Sequence, residues 1–205
     1  MENKIYNRIN ELEGVRTRAL SFFALLRCNQ VIPEKYYINV SETYRTQQRQ
    51  NELYDQGRTK PGKVVTWTLR SEHTKRRALD IYLCKNSEIV NDAKLQKKID
   101  TIFKKYGFEN GSSWKNTPET PHHQLNEEPS KSMVIKAFFT VLANYYPNLK
   151  KEYHWKNTGK WSTSKQKAWK ALCRSYLGVT STSFQTEKAV KIMSKIEPKL
   201  YVKYW

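Results

Sequence analysis

The chain has 205 residues, enough for one large domain or for one ordinary domain with a smaller second one. Its 38% hydrophobic and 27% charged residues are typical of a globular protein and argue against wholesale disorder, and no apolar run is long enough for a membrane-spanning helix. The formal net charge of +18 predicts a polyanionic partner, which leaves open a nucleic acid, an acidic membrane surface or an anionic wall polymer.

The chain begins with polar residues. Residues 1–14 lack the apolar core of a secretory signal, so we expect the protein to be made in a cytoplasm and at first to stay there. Apolar side chains then recur at three- and four-residue spacing over residues 6–28, which predicts an amphipathic helix. The three cysteines lie far apart without a Cys-x-x-Cys pair, and we expect them to be reduced, packed thiols.

Strand and helix patterns alternate in the next part of the chain. Four segments rich in β-branched or alternating residues are predicted to be strands: residues 36–40, 64–69, 78–83 and 122–125. Helices are predicted over residues 46–54 and 93–106, and a loop with two glycines and a proline over 55–63. Strands that are distant in sequence and surrounded by helices predict an α+β fold, with a small antiparallel sheet flanked by helices.

The last part of the chain differs in charge. The polar, proline-containing segment 126–130 is a predicted linker, which divides the chain into domains at residues 1–129 and 130–205. The second domain holds fifteen Lys and Arg residues against three Glu, and thirteen of the 26 aromatic residues. Three apolar stripes predict a basic helical domain, with helices over residues 133–146, 164–177 and 186–196.

Two histidine–carboxylate pairs suggest a metal site. His73 is followed seven residues later by Asp80, and Glu119 precedes His122 by three residues. A catalytic zinc site needs three His or carboxylate ligands and an open position for water, with a nearby carboxylate as general base. Each pair alone also fits a surface histidine beside an unrelated, salt-bridged carboxylate, so the spacing leaves both interpretations open.

The surroundings of these pairs carry a family resemblance. In chain order, the matching residues are Tyr44-Arg45-Thr46 with Gln50, the run Gln56-Gly57-Arg58-Thr59-Lys60-Pro61-Gly62, Ser71-x-His73, Ala78-x-Asp80, Gly107-Phe108 leading to Trp114, and Pro121-His122. Over residues 5–125 the chain resembles the zinc D-Ala-D-Ala carboxypeptidase and L-alanyl-D-glutamate endopeptidase family (peptidase M15). The likeness is to the branch found in phage endolysins and Bacillus-type wall-lytic enzymes.

The resemblance implies a DD-peptidase/hedgehog-like zinc fold and assigns site residues. It implies that His73, Asp80 and His122 bind Zn2+. It also implies that Glu119 is the catalytic carboxylate and that Arg45 contacts the substrate and the developing oxyanion. An arginine suits that role because its fixed fork of donors can hold a carboxylate or an oxyanion. Substrate contacts are further implied at Ser71, Gln50 and Trp114.

Two residues depart from the family pattern. Arg76 stands where the family usually has a glycine, three residues after the first metal ligand, which questions the backbone turn at that point. His123 stands where phenylalanine is frequent. We expect His123 to be either a neighbour that shifts the pKa of the site or simply a packed strand residue.

The resemblance implies a monomeric peptidase that hydrolyses an amide bond in the stem peptide of bacterial peptidoglycan. The Gln-Gly-Arg-Thr-Lys-Pro-Gly run favours an L-alanyl-D-glutamate endopeptidase over a D-Ala-D-Ala carboxypeptidase. A missing secretory signal suits a phage enzyme that reaches the wall as a released endolysin or as a virion component. The alternative from another class is a basic nucleic-acid-binding protein without catalysis, which explains the charge but leaves the metal pattern to coincidence.

Residues 130–205 match no family that we recognise, and two interpretations stay open. In the first, the aromatic residues form the core of a small helical bundle and the lysines are a solvated face. In the second, the domain holds the enzyme on the cell wall, with aromatic rings on sugars or peptide stems and lysines on anionic wall polymers.

Overall fold

The computed structural model describes residues 9–205, apart from the side chain of residue 202. Its sheet consists of β1 (Tyr37–Glu42), β2 (Ala78–Lys85), β3 (Glu88–Ile89), β4 (Glu109–Asn110) and β5 (His122–Gln124). The strands follow the order β1-β2-β5-β4, with β3 also paired to β2, and every pairing is antiparallel. The predicted α+β class with a small antiparallel sheet flanked by helices is confirmed.

The helices of the described residues are α1 (Gly14–Asn29), α2 (Gln47–Asp55), α3 (Ala93–Lys105), α4 (Lys131–Tyr145), α5 (Pro147–Tyr153), α6 (Thr163–Leu177), α7 (Thr186–Ile196) and α8 (Pro198–Tyr204). Short 3-10 turns occupy Ile9–Glu11 and Gly111–Ser113. Several helices begin at a side chain that accepts a backbone N–H, as at Thr46, Asp92 and Ser130. Among the described residues, no helix has both the length and the apolar character required to cross a bilayer.

The predicted first helix starts too early. Residues 6–8 lie outside the described residues, Ile9–Glu11 is a 3-10 turn, and α1 begins only at Gly14. The break occurs because Gly14 has a φ of +62°, a left-handed conformation in which a regular helix cannot continue from the preceding turn.

The predicted strand over residues 64–69 is wrong. The segment pairs with no other strand of the described residues, and Thr66 is its one buried residue. Its carbonyl oxygens instead accept hydrogen bonds from the side chains of Gln47, Gln50 and Arg58, at 2.9, 2.6 and 3.1 Å. Alternation in the sequence alone does not distinguish this arrangement from a sheet strand.

Buried residues on both sides of residue 129 form one continuous hydrophobic core. Helix α1 lies inside it and contacts α3 and β1, which precede residue 129, as well as α4, α7 and α8, which follow it. Residues 19–26 of α1 are all buried. Residues 1–129 and 130–205 therefore share a core, and their division into two domains stays a prediction.

A hydrogen bond joins the last helix to the sheet. The buried Tyr204 hydroxyl donates to the Ile38 carbonyl of β1 at 3.1 Å, and it accepts the Asn29 side-chain amide at 3.1 Å. Aromatic contacts reinforce the junction, since the Phe22 ring lies 5.7 Å from Tyr201 and 6.0 Å from Trp205. Helix α8 is thus part of the support of β1.

Candidate active site

Two neighbouring strands and the turn before them bring together three side chains that could hold a metal ion. Asp80 of β2 and His122 of β5 are direct register partners, and His73 lies in the turn that leads into β2. The atoms His73 Nε2, Asp80 Oδ1 and His122 Nδ1 lie 3.2 Å from one another. Tetrahedral zinc with bonds of about 2.0–2.1 Å places its ligand atoms about 3.3 Å apart, so this triangle fits one ion.

Hydrogen bonds behind the two histidines fix which ring nitrogens face the centre. The Thr43 carbonyl can only accept, so His73 donates to it from Nδ1 at 3.1 Å. The Gln124 amide donates to Glu109 and Asn126, which turns its oxygen to accept from His122 Nε2 at 2.9 Å. Both remaining nitrogens therefore present lone pairs to Asp80, an arrangement that a cation stabilises.

Charge at this centre favours an ionised carboxylate. Burial alone would raise the pKa of Asp80, but the neighbouring His122 and His73 outweigh it and hold the pKa well below its usual range. Burial alone would lower the pKa of His122, but the Asp80 carboxylate raises it. The group therefore attracts positive charge, which suits a divalent metal ion.

The three side chains lie in a cleft of about 530 Å³ that Glu119 also lines. Glu119 is half-buried, and this burial raises the pKa of its carboxyl group; the Asp80 charge also raises it, while His122 and Arg45 lower it. A carboxylate with a raised pKa beside a metal-binding group is suited to accept a proton near neutral pH.

A glycine allows Glu119 and His122 to lie close together. A Cβ atom at Gly111 would lie 2.5 Å from the Glu119 carbonyl oxygen and 3.0 Å from the His122 Cβ. The Gly111 carbonyl also accepts the Glu119 N–H at 3.1 Å. Any larger residue at position 111 would push Glu119 and His122 apart.

Arg45 is held at the edge of the donor group. Its guanidinium donates to both Glu42 carboxylate oxygens and to Gln50 Oε1 at 2.7 Å, and one nitrogen lies 4.0 Å from Asp80 Oδ2. Burial alone would lower the pKa of Arg45, but Glu42 raises it, so the cation is permanent. Arg45 and Asp80 both line the cleft.

Gln50 lies behind Arg45 and does not line the cleft. It is fully buried, and its amide donates to Thr66 Oγ1 at 3.2 Å and to the Thr68 carbonyl at 2.6 Å while accepting from Arg45. The geometry therefore does not support the substrate contact predicted for Gln50. Its hydrogen bonds instead connect Arg45 to the segment of residues 64–69.

Ser71 and Trp114, the other two predicted substrate contacts, do line the cleft. Ser71 Oγ accepts the His73 N–H at 3.3 Å, and the Trp114 ring lies 5.2 Å from the His122 ring. Both residues thus support the histidines directly. Their contact with a substrate stays a prediction.

Exposed apolar residues along the cleft were not predicted from the sequence. Trp67 is 61% exposed and Val65 48% exposed, and both line the cleft. The Arg58 guanidinium lies 5.6 Å from the Trp67 ring and 4.0 Å from the Tyr54 ring, which supports the segment from behind. The signal in the sequence was the alternation over residues 64–69, which we assigned to a strand.

The two departures from the family pattern have structural explanations. Arg76 has a φ of 59°, the left-handed conformation that favours glycine, and its guanidinium lies 4.3 Å from the Tyr44 ring. The turn therefore forms with arginine in place of glycine. His123 is fully buried against Phe103 and lies 3.2 Å from Asp100, as expected for a packed strand residue.

A His–Asp–His donor group and a carboxylate within one cleft of an α+β fold define a metallopeptidase-like site. Residues 65–125 match the family model described as D-alanyl-D-alanine carboxypeptidase. The peptidoglycan L-alanyl-D-glutamate endopeptidase CwlK of Bacillus subtilis is 34% identical over 98 residues, which cover 42% of this chain and 59% of that protein. Both matches agree with the resemblance to the M15 peptidases that the sequence motifs carry.

The chain spans only 59% of the length of CwlK. Among solved structures, the Serratia marcescens L-Ala D-Glu endopeptidase ChiX is 23% identical with a TM-score of 0.44, covering 60% of this chain and 88% of that chain.

Proposed function

We propose that this protein is a zinc-dependent peptidase that hydrolyses an amide bond in the stem peptide of bacterial peptidoglycan. The observation that carries the proposal is the triangle of His73, Asp80 and His122 donor atoms, 3.2 Å on each side, in the cleft that Glu119 lines. Two imidazoles and one carboxylate are a donor set that catalytic zinc uses. The activity named for CwlK supports peptidoglycan as the substrate.

The side chains of the cleft divide the proposed chemistry between them. Zinc, when bound, supplies Lewis acidity, which acidifies water and polarises an amide carbonyl. Glu119 accepts the proton of the attacking water and later donates it to the leaving amine. Arg45, held by Glu42 and Gln50, presents a fixed positive charge to the oxygen on which negative charge develops.

The bond between L-alanine and D-glutamate is our first choice of target, because CwlK is named for that activity. The matching family model is described as a D-alanyl-D-alanine carboxypeptidase, which makes that activity the alternative. Mass spectrometry of digested muropeptides distinguishes them. An endopeptidase leaves L-alanine on the sugar and frees the rest of the stem, whereas a carboxypeptidase releases free D-alanine.

The biological setting that we propose is a phage lysin, either released at the end of infection or carried on the virion. The likeness of the run that contains Gly57 and Pro61 to the endolysin branch supports this setting. We further propose that residues 130–205 hold the enzyme on anionic wall polymers, which the excess of lysine in this part supports.

The proposal is tested by replacing Glu119 with glutamine in the full chain. We expect zinc content to be unchanged and turnover of purified muropeptides to fall by about 10²–10⁴-fold, because the base is lost while the ligands remain. Glu127→Gln, on an exposed residue after β5, is the matched control and should behave as wild type. Wild-type turnover in Glu119→Gln, or a purified wild type that binds no zinc, would rule the proposal out.

A further inference from the structure

A second cavity, of about 700 Å³, shares no lining residue with the cleft. It forms where the last turn of α1, the end of α3 and one face of α4 meet, and Asn157 lines it from the loop after α5. The cavity therefore lies between the catalytic part and residues 130–205. Its volume is within the range of about 300–1,000 Å³ that small-ligand sites occupy.

Of the residues that the structure describes, four basic ones line this cavity and no Asp or Glu does: Arg27, Lys104, Lys105 and Lys136. Within residues 9–205, none of the four forms an ion pair. Arg27 has a neutral partner, the Gln30 side-chain oxygen at 3.2 Å. Uncompensated like charges repel one another, so this arrangement gains free energy when an anion enters.

Helix ends explain only part of the cluster. Arg27 lies in the last turn of α1, and Lys104 and Lys105 lie in the last turn of α3, where cations interact favourably with the helix dipole. Lys136 lies in the middle of α4 and gains nothing from a helix end. The helix dipole therefore does not account for its position on the same cavity.

The remaining lining residues suit a ligand with hydroxyl groups. Thr140, Asn144 and Asn157 offer hydrogen-bond donors and acceptors, and Met133 and Ala137 add apolar surface. Nucleic-acid bases would need an accessible aromatic ring for stacking. The aromatic residue of the cavity, Tyr106, is only 7% exposed, which disfavours a single-stranded nucleic acid.

We propose that this cavity binds an anionic polyol or sugar unit of a cell-wall polymer. Arginine and lysine would bind the anionic group, while the threonine and asparagines would bind neighbouring hydroxyls. Phosphate-bearing and uronate-bearing polymers share this chemistry, and the experiment below separates them. The anion site is independent of catalysis, but the wall as the source of the ligand rests on the proposed function.

The test compares two triple variants of the full chain that remove the same charge. One carries Lys104→Gln, Lys105→Gln and Lys136→Gln; the control carries glutamine at three exposed lysines outside the cavity, at Lys167, Lys191 and Lys199. Co-sedimentation with purified wall is measured at about 0.1 M salt, where charges beyond about 10 Å are screened. We expect the cavity variant to bind about tenfold more weakly than the control.

Three further arms identify the ligand and protect the conclusion. One arm repeats the co-sedimentation with wall stripped of phosphate polymers. The other two are NMR titrations with sn-glycerol 3-phosphate and with glucuronate. A response to either compound that the cavity variant lacks supports the proposal and identifies the anion. Turnover of soluble muropeptides should be equal in both variants. If the wild type shows no turnover, the proposed function fails, while the binding comparison still tests the anion site. Equal weakening of both triple variants, or a cavity-specific loss on DNA and not on wall, would overturn the proposal.

Discussion

The cleft and the basic cavity use charge in opposite ways. In the cleft, Arg45 is ion-paired with Glu42, and the Asp80 carboxylate lies between two histidines. In the cavity, four cations share a space without a carboxylate. Paired and half-buried charges fix geometry, whereas unpaired charges near water set only the affinity for an outside anion. Changes in the cleft should therefore affect chemistry, and changes in the cavity should affect salt-dependent binding.

The largest effect is expected from Asp80→Asn, which breaks the pairing at the centre of the cleft. The variant keeps the shape of the side chain but removes the negative charge that both histidines face. We expect zinc to be lost from the purified protein and turnover to fall to background, measured by metal analysis and a muropeptide assay. Asp55→Asn, on a partly exposed residue at the end of α2, is the control. Full zinc content in Asp80→Asn would show that the metal lies elsewhere.

A smaller loss should follow from Arg45→Lys, which keeps the charge but not the fork of donors. Lysine cannot bond Glu42 and Gln50 at once, so its ammonium will not be held in place. We expect kcat to fall by about 10²-fold, as for the loss of one oxyanion donor, with zinc retained. Arg49→Lys, exposed on α2, should leave kcat unchanged. If Arg45→Lys is fully active, the arginine acts only as a charge.

A more modest change is expected from Trp67→Ala, which removes apolar surface from the rim of the cleft. Loss of one aromatic contact is worth about 0.5–1.5 kcal/mol, so KM should rise by about three- to tenfold while kcat stays the same. The control is Val179→Ala, another exposed apolar residue that does not line the cleft. An unchanged KM would exclude Trp67 from substrate binding.

The smallest effect on turnover is expected from Asp100→Asn. This substitution should instead lower the stability of the fold. Burial alone would raise the pKa of Asp100, but hydrogen bonds from His123, Ser112 and Gln96 outweigh it and lower the pKa. A lowered carboxyl pKa contributes stability that is present at neutral pH and is lost as the pH falls below about 4. Asp100→Asn should therefore reduce the free energy of unfolding at pH 7 by about 1–3 kcal/mol.

The measurement is urea unfolding of both proteins at pH 7 and pH 3. The difference between them should shrink at pH 3, where the Asp100 carboxyl group of the unfolded wild type is largely protonated. A difference that is constant with pH would show that Asp100 contributes through packing and not through its charge.

Long elements with a clear periodicity were predictable from the sequence. The strands β1, β2 and β5 and the helices α3, α4, α6 and α7 lie where their patterns predicted them. The short elements were not predictable: β3 and β4 have two residues each, and α5 and α8 have seven. Seven residues make only two turns, too few for an apolar stripe, and both helices start at a proline that the sequence alone marks as a break.

The metal-binding triangle was predictable because its residues lie in motifs with fixed spacing. The supports of Arg45 were not, because Glu42 and Gln50 meet it only through the geometry of the end of β1 and the start of α2. Trp67 was missed for a related reason. Its segment has the sequence alternation of a strand. In the structure, its carbonyls accept hydrogen bonds from side chains and not from another strand, and the segment borders the cleft.

The hydrogen bond from Tyr204 to Ile38 has a consequence for the order of events during synthesis. The ribosome makes Ile38 166 residues before Tyr204, whose hydroxyl donates to the Ile38 carbonyl. Strand β1 pairs with β2, which carries Asp80, so the support of the metal site is completed only when α8 emerges. Each new chain therefore lacks this support of the Asp80 strand pair until α8 has been made and has packed against β1.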